Sequence, residues 1–232
     1  MFFTELIMVY TEHFLFNSFQ QRCSAVWDSN GIGVIIDPGF CTPGERDELF
    51  SLIKHNKLNI SAILLTHAHF DHIYGVAETA TEFKAPIYMH KGEICVIEEA
   101  NPYLCRMFGL PVPEFELGKE NIRYVADGDI IKAGDMDFEV LETPGHTPGG
   151  VCYLERRAGL LFSGDTLFAG SIGRTDNNWG DYDALMRSIF GKLMALEGEI
   201  TVIPGHGPES DIATERMTNP FLMPFNEPYE EK

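Results

Sequence analysis

The segment Thr66-His67-Ala68-His69-Phe70-Asp71-His72 puts three histidines and an aspartate within six positions, directly after the apolar run Ile60–Leu65. Imidazole and carboxylate are ligands for divalent cations, zinc above all and also iron or manganese. The spacing of His67 and His69 lets both reach one ion from a loop. Asp71 and His72 then point elsewhere as the next element begins. A solvated loop with incidental histidines accounts poorly for three of the chain's eight histidines in one hexapeptide.

Three further pieces share this design. They are Thr143-Pro144-Gly145-His146-Thr147-Pro148-Gly149, Ser163-Gly164-Asp165-Thr166 and Pro204-Gly205-His206-Gly207, each after an apolar run. Glycine and proline beside a single polar residue make a turn that holds a side chain in a fixed direction. Alone, His146 or His206 reads as a turn histidine and Asp165 as a cap; beside the first motif, all three read as ligands.

The elements that must position these residues are short and alternating. Strands are expected over 3–10, 14–19, 23–28, 32–36, 60–65, 87–89, 137–142, 151–155, 160–163 and 200–203, with a hairpin turn at 156–159. Helices are expected over 44–56, 72–83, 91–100, 181–196 and 211–217. Residues 91–121 carry Pro102, Gly109, Pro111 and Pro113, which break the helical pattern and suggest an insertion near a pocket. Mixed strands and helices imply an α/β fold, with sheets covered by helices.

Bulk composition excludes several classes. The 232 residues carry a formal charge of −18, which disfavours nucleic acid and anionic membranes as partners. The N-terminal stretch is apolar but includes Glu5 and lacks a basic region, so it reads as a strand and not a signal peptide. No apolar run is long enough to span a membrane. The five cysteines form no C-x-x-C pair and read as reduced thiols, and the chain is expected in the cytoplasm. One domain over 1–232 and a small-molecule substrate are expected; oligomeric state stays open.

In order and type, the motifs resemble the ligand set of the metallo-β-lactamase superfamily, over roughly residues 20–208. The resemblance implies an αββα sandwich of two mixed sheets flanked by helices, with two divalent ions at one edge. It places His67, His69 and His146 on the first ion and Asp71, His72 and His206 on the second, with Asp165 bridging. Gly164-Asp165-Thr166-Leu167-Phe168, Gly170–Asp176 and Asn219-Pro220-Phe221-Leu222 are similar to the glyoxalase II-like branch, the hydroxyacylglutathione hydrolases, in its small bacterial form. Asp37, in Ile36-Asp37-Pro38-Gly39, matches the superfamily's Asp-Pro-Gly turn, either orienting a ligand histidine or capping backbone amides, roles that can coexist.

Full-length glyoxalase II has a C-terminal helical domain that helps bind glutathione. Only 26 residues follow His206 (232 − 206), so that domain is expected to be absent. Tyr103, Arg106, Met107 and Phe108 are then candidates to line the pocket. Arg174 reads as a brace paired with Asp176 or another carboxylate, or as a contact for an anionic substrate.

The resemblance implies hydrolysis of an acyl-thioester such as S-lactoylglutathione, by metal-bound hydroxide that Asp71 orients. A thiolate leaves readily, so a strong general acid is not needed. A persulfide dioxygenase, which uses one iron on the same fold, retains most of these motifs. Lactonase or other ester hydrolysis and β-lactamase activity are lesser alternatives.

Overall fold

Val34 and Ile36 face one side of their strand and Ile35 the other, and all three are buried. That strand therefore lies between two apolar layers, as expected where both faces of a sheet are covered. The computed structural model describes residues 8–117 and 121–223.

The first half of the chain builds one sheet and its helices. These are β1 (Val9–Phe16), β2 (Gln21–Asp28), β3 (Ile32–Ile36), α1 (Pro43–His55), β4 (Asn59–Leu64), α2 (Phe70–Ile73), α3 (Val76–Phe83) and β5 (Ile87–His90). A 3₁₀ turn (Lys91–Glu93), a π-helical turn (Val96–Ala100), α4 (Asn101–Phe108) and β6 (Ile122–Val125) follow. The strands lie in sequence order, antiparallel from β1 to β3 and parallel from β3 to β6.

The second half supplies β7 (Ile130–Ala133), β8 (Met136–Glu142), β9 (Val151–Glu155), β10 (Leu160–Gly164) and a small hairpin of β11 (Leu167–Phe168) and β12 (Ser171–Ile172). Then come α5 (Tyr182–Ser188) with a π-helical extension (Ile189–Leu193), β13 (Thr201–Pro204), β14 (Ser210–Asp211) and α6 (Ile212–Thr218). Its sheet runs β14-β13-β10-β9-β8-β7, with β10 and β13 parallel and the other neighbours antiparallel.

Three apolar layers hold these pieces together. Val26, Val34, Ala62 and Leu64 of the first sheet meet Phe138, Val140, Tyr153 and Phe162 of the second. Leu49 and Ile53 of α1 and Val76 of α3 cover the outer face of the first sheet. Leu185, Ile189, Leu193 and Ile212 cover that of the second. Each large aliphatic side chain so buried contributes about 1.5–3 kcal/mol. The result is the expected αββα sandwich of two mixed sheets.

Several sequence-based boundaries change. Residues 3–7 of the expected first strand lie outside the described residues. The ends of the strands expected over 3–10 and 14–19 belong to one strand, β1, and a turn at 17–20 follows it. Asn17 and Gln20 have φ of 52° and 55°, which ends the strand there. The helix expected over 72–83 is interrupted at Tyr74 and Gly75, where the Gly75 N–H donates to Pro38 O in the Asp-Pro-Gly turn. Pro102 does not break the helical path, because it sits in the first turn of α4. The Asn101 N–H reaches back to Val96 O and forms the π turn. Strands β6 and β7 have no counterpart in the sequence reading. The helix expected over 181–196 ends at Leu193.

One local feature already points to the edge where the ligands gather. The Thr42–Glu45 capping box starts α1. The same Glu45 carboxylate accepts from the Asn17 N–H, and the Asn17 side chain donates to Gly39 O and Asp71 O. The helix cap, the first turn and the Asp71 backbone are thereby linked.

Candidate metal centre

Each candidate ligand follows the end of a strand. The His67–His72 loop follows β4, His146 follows β8, Asp165 follows β10 and His206 follows β13. The parallel pair β10–β13 brings Asp165 beside His206. There a Cβ on Gly205 would lie 2.4 Å from Asp165 Oδ1 and 2.7 Å from His72 Cε1, so only glycine fits.

The side chains form two groups. In the first, His69 Nδ1 lies 3.0 Å from His146 Nε2, and the His67 ring lies 4.9 Å and 5.0 Å from theirs. In the second, His206 Nε2 lies 3.3 Å from both His72 Nε2 and Asp71 Oδ2. Asp165 stands between them. Its Oδ2 is 3.5 Å from His146 Nε2 and 3.7 Å from His206 Nε2, and its Oδ1 is 3.5 Å from His72 Nε2. His67, His69 and His146 place ligand atoms within 4.8 Å of one another, as do Asp71, His72 and His206.

The surroundings fix which nitrogen four of the five imidazoles present. His146 Nδ1 donates to Arg174 O, His206 Nδ1 to Phe19 O and His72 Nδ1 to the Asp37 carboxylate, all groups that can only accept. Thr66 gives its hydroxyl proton to Asp37, so its oxygen accepts from His67 Nδ1 at 3.1 Å. As neutral imidazoles, His67, His72, His146 and His206 therefore turn bare Nε2 atoms into the cluster, and His69 turns Nδ1.

That arrangement fits a cation. His69 Nδ1 faces the lone pair of His146, and the lone pairs of His72 and His206 meet at 3.3 Å. The His72–His206 contact is not a hydrogen bond unless an imidazole takes up another proton, whereas a neutral His69 can donate from Nδ1 to His146. His67 Nε2 and Asp165 Oδ1 are buried with no hydrogen-bond partner. Positive charge between these atoms would satisfy all of them.

Electrostatics divides the histidines. Burial pushes His69 down to about 3, helped by His146, and burial together with His72 pushes His67 well below its ordinary value. Burial also opposes charge on His72, but Asp71 and Asp165 outweigh it and raise His72 well above the usual range. Burial opposes ionisation of Asp165, and His72, His67 and His206 overcome it, so its carboxyl stays well below the usual range.

Asp37 makes the contacts that both expected roles require. Its Oδ1 caps the Thr66 N–H at 2.8 Å and its Oδ2 accepts from His72 at 3.0 Å. It does so from φ = 48°, a left-handed conformation that aspartate tolerates better than most residues. The hydrogen bonds of the Asp37 carboxylate all come from donors, the Thr66 N–H and hydroxyl and His72 Nδ1.

The sequence profile of the metallo-β-lactamase superfamily matches residues 17–206. The chain belongs to the metallo-β-lactamase superfamily. Among its relatives, hydroxyacylglutathione hydrolase GloC of Haemophilus influenzae is 38% identical over 205 residues, 88% of this chain and 94% of GloC. This agrees with the small glyoxalase II-like branch. BLEG-1 B3 metallo-β-lactamase superposes with a TM-score of 0.84 at 34% identity, covering 93% of this chain and 100% of BLEG-1. TTHA1623 in a di-iron-bound form gives 0.78 at 36%, covering 91% and 100%. ETHE1 from Myxococcus xanthus gives 0.72 at 26%, covering 91% and 83%.

Within this superfamily fold the remaining candidates divide. The Arg174 side chain pairs with Asp176 at 2.8 Å, and both are exposed. It is the Arg174 carbonyl, not its guanidinium, that touches the cluster, through His146. Tyr103, Arg106, Met107 and Phe108 lie on α4, exposed on their side chains. Phe108 packs on Phe19 and Phe70, and Tyr103 lies 6.3 Å from Trp179, so an aromatic group borders the ligand loops.

Arg22 went unnoticed in the sequence. Its N–H donates to Gly205 O and its guanidinium to Gly207 O, bracketing His206 on both sides. A lone arginine beginning a strand gives no local signal of such a role. No helix among the described residues is long and apolar enough to cross a membrane.

Proposed function

We propose that this chain is a dinuclear metal-dependent hydrolase of acyl-thioesters, with S-lactoylglutathione the first substrate to test. The observation that carries this is the Asp165 carboxylate, within 3.7 Å of histidines from both groups while those histidines turn their Nε2 atoms inward. His67, His69 and His146 would hold one ion, Asp71, His72 and His206 the other, and Asp165 would bridge. Zinc suits this donor set best; iron and manganese also suit it. The likeness to GloC supports the substrate class, and the di-iron form of TTHA1623 supports two ions.

Bound divalent ions would supply Lewis acidity, which polarises a carbonyl and lowers the pKa of water towards neutrality. The chain supplies the rest. Burial opposes ionisation of Asp71, but His72 and His206 beside it outweigh burial and keep its carboxyl below the usual range, so the carboxylate can accept a proton from an attacking water and orient it. Asp165 fixes the spacing of the two groups. The aromatic side chains of Phe19, Phe70 and Phe108 pack together beside the loops, and exposed Tyr103 and Arg106 on α4 are the candidates to meet the acyl or thiol part of a substrate. A thiolate leaves without a strong general acid.

A second reading is a persulfide dioxygenase with one iron, and the likeness to ETHE1 favours it. Metal content measured together with S-lactoylglutathione turnover separates the two. Two ions per chain with turnover is the expected result. One iron, no hydrolysis and oxygen uptake with glutathione persulfide would replace the hydrolase with the dioxygenase.

A further inference from the structure

Glu93 is 1% exposed, and no cation pairs with it among the described residues. Burying an ionised carboxylate without a partner charge is costly, and only hydrogen bonds can offset the cost. One of its oxygens accepts from the Ala68 N–H at 2.6 Å and the other from the Gly149 N–H at 2.8 Å. Ala68 lies between His67 and His69, and Gly149 closes the turn that carries His146. A single side chain thus holds both loops of the first group.

Its neighbours strengthen the clamp. Asn101, also 1% exposed, donates from Nδ2 to Ala68 O at 2.8 Å, so Ala68 is held at both its N–H and its carbonyl. A Cβ on Gly149 would lie 2.7 Å from the Glu93 N–H nitrogen and 2.8 Å from the Gly92 carbonyl carbon. The turn and the 3₁₀ segment therefore meet backbone to backbone, leaving little slack. A carboxylate is the one side chain of this length with two acceptor atoms and no donor. Glutamine would turn an NH₂ towards one of the two N–H groups.

We propose that Glu93 is a positioning residue that fixes the distance between the His67/His69 loop and the His146 turn, and so shapes the first ion site. The inference rests on reading His67, His69 and His146 as that site. Burial raises the Glu93 carboxyl to about 7, against the pull of its backbone hydrogen bonds, which marks the cost of keeping a charge there. Within the segment 91–121, expected to be an insertion near a pocket, Glu93 and Asn101 contact the backbone of the candidate ligand loops.

The test is cobalt(II) titration of the full chain, wild type and Glu93→Gln, followed by visible absorption and by chelator competition. A His69→Ala chain, lacking the first group, provides the reference spectrum of the second site. Wild type should take up two ions. Glu93→Gln should weaken the first site by about 10–100-fold, the usual cost of losing a residue that orients ligands, and leave the second within about threefold. Glu93→Asp, which keeps both acceptors, should recover part of the loss. Two unchanged sites in Glu93→Gln, or equal weakening of both, would overturn the inference and leave the two-ion reading standing. A wild-type chain that never fills the first site would overturn both. Should Glu93→Gln fail to fold, Asn101→Ala must show the same selective weakening, and unchanged affinities there overturn the clamp.

Discussion

The Asp37 carboxylate accepts from His72 Nδ1 at 3.0 Å and at the same time from the backbone N–H of Thr66, so one buried side chain spans the ligand loop from its first residue to its last. Loss of Asp37 therefore disturbs His72 directly and His67 through the Thr66 hydroxyl. Asp37→Ala should weaken metal binding by about 10–100-fold. It should also destabilise the fold by about 1–3 kcal/mol, since the Thr66 N–H is left buried without an acceptor. Chelator competition and urea denaturation measure the two effects, and normal affinity in the variant would show that His72 keeps its orientation unaided.

Arg22→Met keeps the backbone bond to Gly205 O but removes the bond to Gly207 O and the ion pair with Glu209. The expected result is faster hydrogen exchange over 205–209 and weaker binding at the second group by about tenfold, with the first group unaffected. Exchange rates equal to wild type would mean that the turn glycines alone hold His206.

Asp71→Ala and Asp165→Ala should each lower thioesterase turnover by at least about 100-fold, the scale seen when one charge-stabilising group leaves an active site. Circular dichroism should change little, because both side chains stand at the ends of elements and outside the three apolar layers. Rates near wild type in either variant would remove the dinuclear assignment.

In metal-free protein, His69 stays neutral down to about pH 3, against 6.5 in the unfolded chain. A histidine lowered in this way contributes stability that is complete above pH 6.5 and is lost as the pH falls towards 3. His72 is raised and runs in the opposite sense, so the comparison must isolate His69. Between pH 6 and 4 the stability of wild type should fall faster than that of His69→Gln, by up to about 1.4 kcal/mol per pH unit. Urea denaturation at several pH values gives the two slopes; parallel slopes would show that the fold admits the imidazolium.

The clustering of the candidate ligands at strand ends is legible because each sits in a short segment of local chemistry: an apolar strand, a turn residue, then the histidine or aspartate. The residues that hold those ligands are not. Glu93 reaches Ala68 and Gly149 across 25 and 56 positions, and Arg22 meets Gly207 across 185. No spacing rule reports such contacts. Strands β6 and β7 are hard to read from sequence because each has four residues and exposes half of them, leaving little hydrophobic period. The turn after β1 was read through because Phe14, Leu15 and Phe16 look like a continuing strand, although Leu15 is exposed at the sheet's edge.

The candidate ligands are divided between the two sheets, with His67, His69, Asp71 and His72 beside the first and His146, Asp165 and His206 beside the second. Ions at this edge would act as rivets across the seam between the halves of the chain. An unfolded chain could offer the local His67–His72 cluster but not the three distant partners, so most of the binding energy would belong to the folded state. The melting temperature should then rise with free metal concentration, and stripping the ions would release the seam before it disturbed either sheet.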